Sequence, residues 1–132
     1  MKAIKNIGLV DDDEVYVFLT KKVIESTNLI DLIKVFKNGL QALNYLKENF
    51  DKPDSLPEII LLDLSMPVMD GWQFLEEWVK MKPKIGKKIT IYLCTSSISP
   101  VDILRAKEIA EVTDIIFKPI TKEKLIDIIK NL

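Results

Sequence analysis

The 132-residue chain predicts an α/β fold, a mostly parallel sheet covered by helices on both faces. Three observations carry that expectation. Short apolar runs alternate with amphipathic stretches of helical period along the whole chain. The run Ile59-Ile60-Leu61-Leu62 leads straight into Asp63 with no polar residue, the pattern of a strand buried on both faces. The chain then turns through Pro67 and Gly71 before a helical period resumes at Trp72.

A first strand is expected from Ile4 to Val10, ending at Asp11-Asp12-Asp13. Residues 14–26 have a helical period, with Val15, Phe18, Leu19 and Val23 as its apolar side and Lys21, Lys22 and Glu25 between them. Residues 32–37 are short and rich in strand formers, and Asn38-Gly39 closes that strand. A second helix follows, with Leu40, Leu43, Leu46 and Phe50 on one face. Residues 51–57, D-K-P-D-S-L-P, read as a loop, and the central strand spans 58–63. Residues 72–82 form the third helix, with Phe74, Leu75 and Trp78 apolar, and 82–87 a basic turn. Residues 88–94 form a fourth strand. Ser99 as N-cap, Pro100 at the first helical position and Asp102 three beyond the cap open a helix carrying Ile103, Leu104 and Ile109 to about Glu111. Thr113 to Phe117 is a fifth strand. Thr121 caps a last helix with Leu125, Ile128, Ile129 and Leu132 apolar. Five such units have a common solution in the flavodoxin-like doubly wound (βα)5 arrangement, strand order 2-1-3-4-5. A closed eight-unit barrel would need roughly twice this length.

Composition narrows the function. The length suits one domain, 1–132, and nearly half the residues are apolar, enough for a sizeable core. Charges balance at a net of -1, which argues against a nucleic-acid partner. With no His, the chain has neither an imidazole base nor a phosphohistidine of its own. Cys94, the only cysteine, lies in an apolar run and reads as a small buried hydrophobe in a reducing compartment. The stretch Met1 to Val10 reaches an acidic cluster too soon for a signal peptide, and no apolar run approaches the ~20 residues of a membrane span. A cytoplasmic protein without a membrane partner is expected.

Under that strand order, strands 1 and 3 are neighbours, so Asp11 and Asp12 come close to Asp63. Three carboxylates on one rim repel, and a hard divalent cation such as Mg²⁺ relieves the repulsion. Thr95 ends strand 4. Lys118 ends strand 5, with a side chain long enough to lean back. A carboxylate nucleophile, a metal, a hydroxyl and an ammonium together fit phosphoryl transfer to an aspartate. Taken singly, each residue has a plainer reading: helix caps for Asp11 to Asp13, a turn residue for Asp63, a strand-end hydroxyl for Thr95, a solvated turn for Lys118-Pro119. Their joint placement at the ends of four strands favours the chemical one.

With these residues in place, the sequence resembles the receiver domain of bacterial two-component response regulators over essentially its whole length. The resemblance rests on Val10-Asp11-Asp12-Asp13, the segment Leu62 to Gly71 (L-D-L-S-M-P-V-M-D-G), Leu93-Cys94-Thr95-Ser96 and Phe117-Lys118-Pro119. It implies a phosphoacceptor at Asp63. It also implies Mg²⁺ held by Asp12 directly, Asp11 through water, Asp63 and the backbone carbonyl of Ser65. Asp13 would cap the first helix. Thr95 would bind a phosphoryl oxygen, Lys118 would pair with the phosphoryl group, and the Lys118-Pro119 bond would be cis. Ser65 and Ser97 occupy positions that tune phosphoryl lifetime in the family, and Ser96 is small enough to keep access open. Ile115 departs from the aromatic residue many receivers carry there; Phe117, two residues on, is a poor substitute.

The chain stops after the fifth helix and so resembles a stand-alone receiver of the chemotaxis type. Its phosphodonor would be a sensor histidine kinase or histidine phosphotransfer protein. Its output would be protein contact through the fourth helix, fifth strand and fifth helix, to a target the sequence does not name, as a monomer or weak homodimer. A pseudo-receiver that only binds would lack one of the acidic pair, Asp63, Thr95 or Lys118, and all are present. An aspartate phosphatase would want a second acid where Ser65 stands. A dinucleotide enzyme would want glycines, and a flavin carrier a phosphate-binding loop, where the three aspartates stand; no Walker-type loop is present.

Overall fold

Apolar runs that alternate with helices leave each strand no antiparallel neighbour in sequence, so the strands pair in parallel through crossovers. The computed structural model describes residues 4–96 and 99–132. In it β1 (Ile4–Val10), β2 (Ile30–Phe36), β3 (Ile59–Asp63), β4 (Thr90–Thr95) and β5 (Val112–Phe117) form one parallel sheet of order β2-β1-β3-β4-β5. Between and after them run α1 (Glu14–Ser26), α2 (Gly39–Glu48), α3 (Gly71–Met81), α4 (Pro100–Glu108) and α5 (Lys122–Lys130). The flavodoxin-like doubly wound order is the one expected. β3 is buried at every residue, as a central parallel strand requires.

The pleat of each strand divides the core in two. Val10, Leu62 and Leu93 pack with Leu43 and Leu46 of α2, Phe74, Leu75 and Trp78 of α3, and Ala106 of α4. Leu9, Leu61, Tyr92 and Ile116 pack on the other face with Ile24 of α1 and Leu125, Ile128 and Ile129 of α5. Caps stand where short polar side chains precede helical runs. Asp13, Asn38, Ser99 and Thr121 accept backbone N–H bonds from α1, α2, α4 and α5, and Asp70 and Gln73 form a reciprocal box at α3.

Several expectations need correction. α1 buries Thr20 and Ile24, with Tyr16, Val17 and Val23 packed beside them, while Val15, Phe18 and Leu19 face solvent. Both arcs of this helix are apolar, so periodicity alone does not choose between them. Leu40, Phe50 and Leu104 are likewise exposed, and α4 ends at Glu108 rather than about Glu111. β2 begins at Ile30, because Ile30 pairs with Ile4 at the start of β1. Short 3-10 turns occupy Pro53–Ser55 and Lys82–Lys84, inside the expected loop and basic turn.

The connection from β3 to α3 is tight. A Cβ on Gly71 would meet the Asp63 carbonyl oxygen at 2.6 Å, so only glycine lets α3 start this close to the strand end. Val68, at the exposed tip, has φ 69°, a left-handed conformation that costs a β-branched residue energy.

Candidate functional site at the carboxyl rim

Parallel register brings the ends of four strands to one edge. Asp11 directly follows β1, and its N–H donates to the Phe36 carbonyl at 2.9 Å. Asp63 is the last residue of β3, and Thr95 the last of β4, one rung beyond Cys94, the partner of Asp63. Lys118 follows β5, and its N–H donates to the Thr95 carbonyl at 2.9 Å. Asp11, Asp63 and Thr95 are buried, whereas Asp12 is exposed.

The side chains converge. Lys118 Nζ donates to Asp11 Oδ2 at 2.7 Å and lies 3.3 Å from Asp63 Oδ1. Asp11 Oδ1 accepts the Asp13 N–H at 2.9 Å. One oxygen from each of Asp11, Asp12 and Asp63 lies within 4.8 Å of the others. Among the described residues the ion pairs place one ammonium, Lys118, against this cluster of three carboxylates, so the cluster carries excess negative charge. Burial pushes the Asp63 carboxyl above the ordinary carboxylate range, and the Asp11 charge adds to it; Lys118 and the Ser65 backbone N–H oppose the rise. For Lys118, burial would lower the pKa, but the hydrogen bond to Asp11 and the charges of Asp63 and Asp11 outweigh it, so the group stays an ammonium. Cys94 is buried and its thiol is pushed up to about 12 by desolvation, which leaves it inert as a nucleophile.

Convergent hard oxygen donors with excess negative charge fit a small divalent cation such as Mg²⁺. Beside them Asp12 and Ser65 line an open cleft of about 460 Å³, together with Asp70, Trp72 and Asp102. Asp11, Asp12, Asp63 and Lys118 are therefore one cluster, Thr95 stands on the adjoining strand end, and Ser65 borders the cleft. The Lys118-Pro119 peptide is cis. Ser96 is exposed, and Ser97 lies outside the described residues. Ile115 packs against the core, and Phe117, the register partner of Thr95 on β5, is exposed.

Sequence reasoning missed Tyr16. Its ring centroid lies 4.2 Å from Lys118 Nζ. The spacing Tyr16, Thr20, Ile24 marks one helical stripe and could have revealed it, had that arc been preferred over the one carrying Val15, Phe18 and Leu19. Desolvation pushes the Tyr16 phenol up to about 12, so it is neutral.

Comparisons with known proteins agree on one family. The family model described as "Response regulator receiver domain" matches residues 7–130. The chain is 30% identical over 119 residues to the probable methanogenesis regulatory protein FilR2 of Methanothrix harundinacea, covering 90% of this chain and 75% of that one. It is 29% identical to the response regulator Rcp1 of Synechocystis, over 80% of this chain and 71% of that one. The crystal structure of a two-component response regulator from Cytophaga hutchinsonii superposes with TM-score 0.87 at 27% identity, over 99% of this chain and all of the other.

Proposed function

The chain belongs to the response regulator receiver domain family of two-component signalling, and from that membership we propose that it is a phosphorylatable switch that takes a phosphoryl group onto Asp63. The observation that carries the reading is the Lys118 ammonium held between Asp11 and Asp63 on a rim where three carboxylates converge.

In the proposed step an Asp63 carboxylate oxygen attacks phosphorus. The new O–P bond forms as the donor's P–N bond breaks, and the electron pair leaves on the imidazole nitrogen of a phosphohistidine. The product is an acyl phosphate on Asp63. Lys118 gives up no proton; its N–H groups meet the charge that spreads over the transferred oxygens. Thr95 takes a phosphoryl oxygen from the neighbouring strand end. Asp11, Asp12, Asp63 and the Ser65 backbone carbonyl would hold Mg²⁺, which when bound neutralises the same developing charge. The chemistry is one transfer onto the protein's own side chain and its reversal by water, not turnover of a free substrate.

The 132 residues contain no His, so the phosphohistidine comes from a sensor histidine kinase or histidine phosphotransfer protein. The exposed Phe18 of α1 lines a cleft with Asp11 and Asp12, and Val15 and Leu19 of the same helix are exposed too, a surface such a donor could use. Output to a downstream protein runs through α4, β5 and α5, where Val101, Leu104 and Phe117 are exposed. Among the described residues no helix is long and apolar enough to cross a membrane; action in the cytoplasm is part of the proposal.

The test is intact-protein mass after incubation with acetyl phosphate, with Mg²⁺ and with excess chelator. The expected result is a Mg²⁺-dependent gain of one phosphoryl group, absent in Asp63→Asn. No gain in folded protein, with acetyl phosphate or with a phosphorylated histidine kinase, would overturn the reading in favour of a module that only binds.

A further inference from the structure

The ammonium of Lys118 has three donors, and three described groups stand around it. One bonds Asp11 Oδ2 at 2.7 Å, and a second faces Asp63 Oδ1 at 3.3 Å. Nζ also stands over the face of the Tyr16 ring, 4.2 Å from its centroid. The Lys118 side chain is only 13% exposed, so the ring stands where water would otherwise hydrate the ammonium. The Tyr16 hydroxyl contributes nothing evident to this. It is buried, and its approach to Thr20 falls short of a hydrogen bond.

We propose that Tyr16 is a positioning residue for phosphoryl transfer to Asp63, its ring capping the Lys118 ammonium and aiming it between Asp11 and Asp63. A ring face attracts a cation without accepting a hydrogen bond in a fixed direction. Lys118 is therefore held close to the rim but stays free to swing its donors from the carboxylates to an arriving phosphoryl oxygen. A carboxylate or carbonyl in place of the ring would hold the same charge and tether its donors. This inference rests on the proposed transfer. In the step tested, Asp63 forms the O–P bond as the bond from phosphorus to the acetate oxygen breaks and the electron pair leaves with acetate.

The experiment compares Tyr16→Phe and Tyr16→Leu with the unsubstituted protein in the acetyl phosphate reaction, each alone and with Lys118→Ala. Tyr16→Phe keeps the ring and removes only the unbonded hydroxyl; it is expected to react at the unsubstituted rate. Tyr16→Leu keeps apolar bulk and removes the π face; it is expected to react about tenfold more slowly. In the Lys118→Ala background, Tyr16→Leu is expected to add less than about twofold. Equal rates for Tyr16→Leu and the unsubstituted protein would overturn the proposal. So would a Tyr16→Phe variant as slow as Tyr16→Leu, or a full Tyr16→Leu effect without Lys118.

A second measurement needs neither phosphodonor nor the leucine variant. The Lys118 ε-methylene protons, resolved by NMR, should be shifted upfield by the ring current in the unsubstituted protein and in Tyr16→Phe. Ordinary shifts there would overturn the placement. If the unsubstituted protein takes up no phosphoryl group, the functional reading fails, and the ring-current result still decides whether Tyr16 caps the lysine.

Discussion

Two half-buried lysines stand at opposite ends of the sheet and are used differently. Lys87, ahead of β4 at the amino ends, donates to the carbonyls of Pro53 and Leu56 at 2.8 Å each and to Glu58 Oε1 at 2.9 Å. Glu58 Oε2 in turn accepts the Lys5 N–H at 2.8 Å. Every donor has an oxygen and the charges cancel, so this cluster ties the Pro53–Ser55 turn to two strands and has no capacity for a new ligand. Lys118 at the carboxyl ends has one close carboxylate, one longer contact and an aromatic face, beside more acid than it can neutralise. A closed set of partners makes a structural staple. An open set with surplus charge makes a place where a cation and a phosphoryl group can be received.

The largest test of that contrast removes each lysine. Lys118→Ala is expected to slow uptake from acetyl phosphate by about two to three orders of magnitude, read as the time course of the mass gain. A rate within a few-fold of the unsubstituted protein would leave the two ends of the sheet equivalent. Lys87→Ala should act on stability instead, at about 2–3 kcal/mol in denaturant unfolding, because two carbonyls and a carboxylate lose a charged donor. Its folded form should accept phosphoryl groups at the unsubstituted rate.

A smaller effect concerns the surplus charge itself. Asp63 has a folded-state pKa above its unfolded value, so the folded protein binds the extra proton more readily. Stability measured in chelator should therefore fall as pH rises from the ordinary carboxylate range through the raised pKa. Asp63→Asn should be more stable than the unsubstituted protein at neutral pH, with the gain vanishing at acid pH where Asp63 is protonated in both states. A neutral-pH loss of stability in that variant would mean Asp63 is as well partnered as Glu58. The smallest effect is at the loop tip: Val68→Gly relieves a left-handed residue but loosens the unfolded chain, for a net gain under about 1 kcal/mol in thermal unfolding.

Much of the fold was legible because its signals are local. β1 and α1 have the expected bounds, and Ser99 and Thr121 cap the helices they were expected to cap. Ends shifted where pairing decides them, as at Ile30 and Val112. The clustering of Asp11, Asp12 and Asp63 was legible through the strand order, since strand ends are short-range features and parallel register aligns them. Tyr16 was not, nor was the choice of Lys118 for Asp11 as its closest partner.

By itself, the sequence determined the alternation of strands and helices, the caps, and which residue types stand at each strand end. These depend on neighbours within a turn or two of the chain. Only the tertiary structure decided which arc of α1 turns inward, because Val15, Phe18 and Leu19 are as apolar as Tyr16, Val17 and Val23, and packing against β1 and α5 breaks the tie. It also decided the state of the rim, because the protonation of Asp63 and the hold on Lys118 follow from burial and from charges brought together across about a hundred residues of chain.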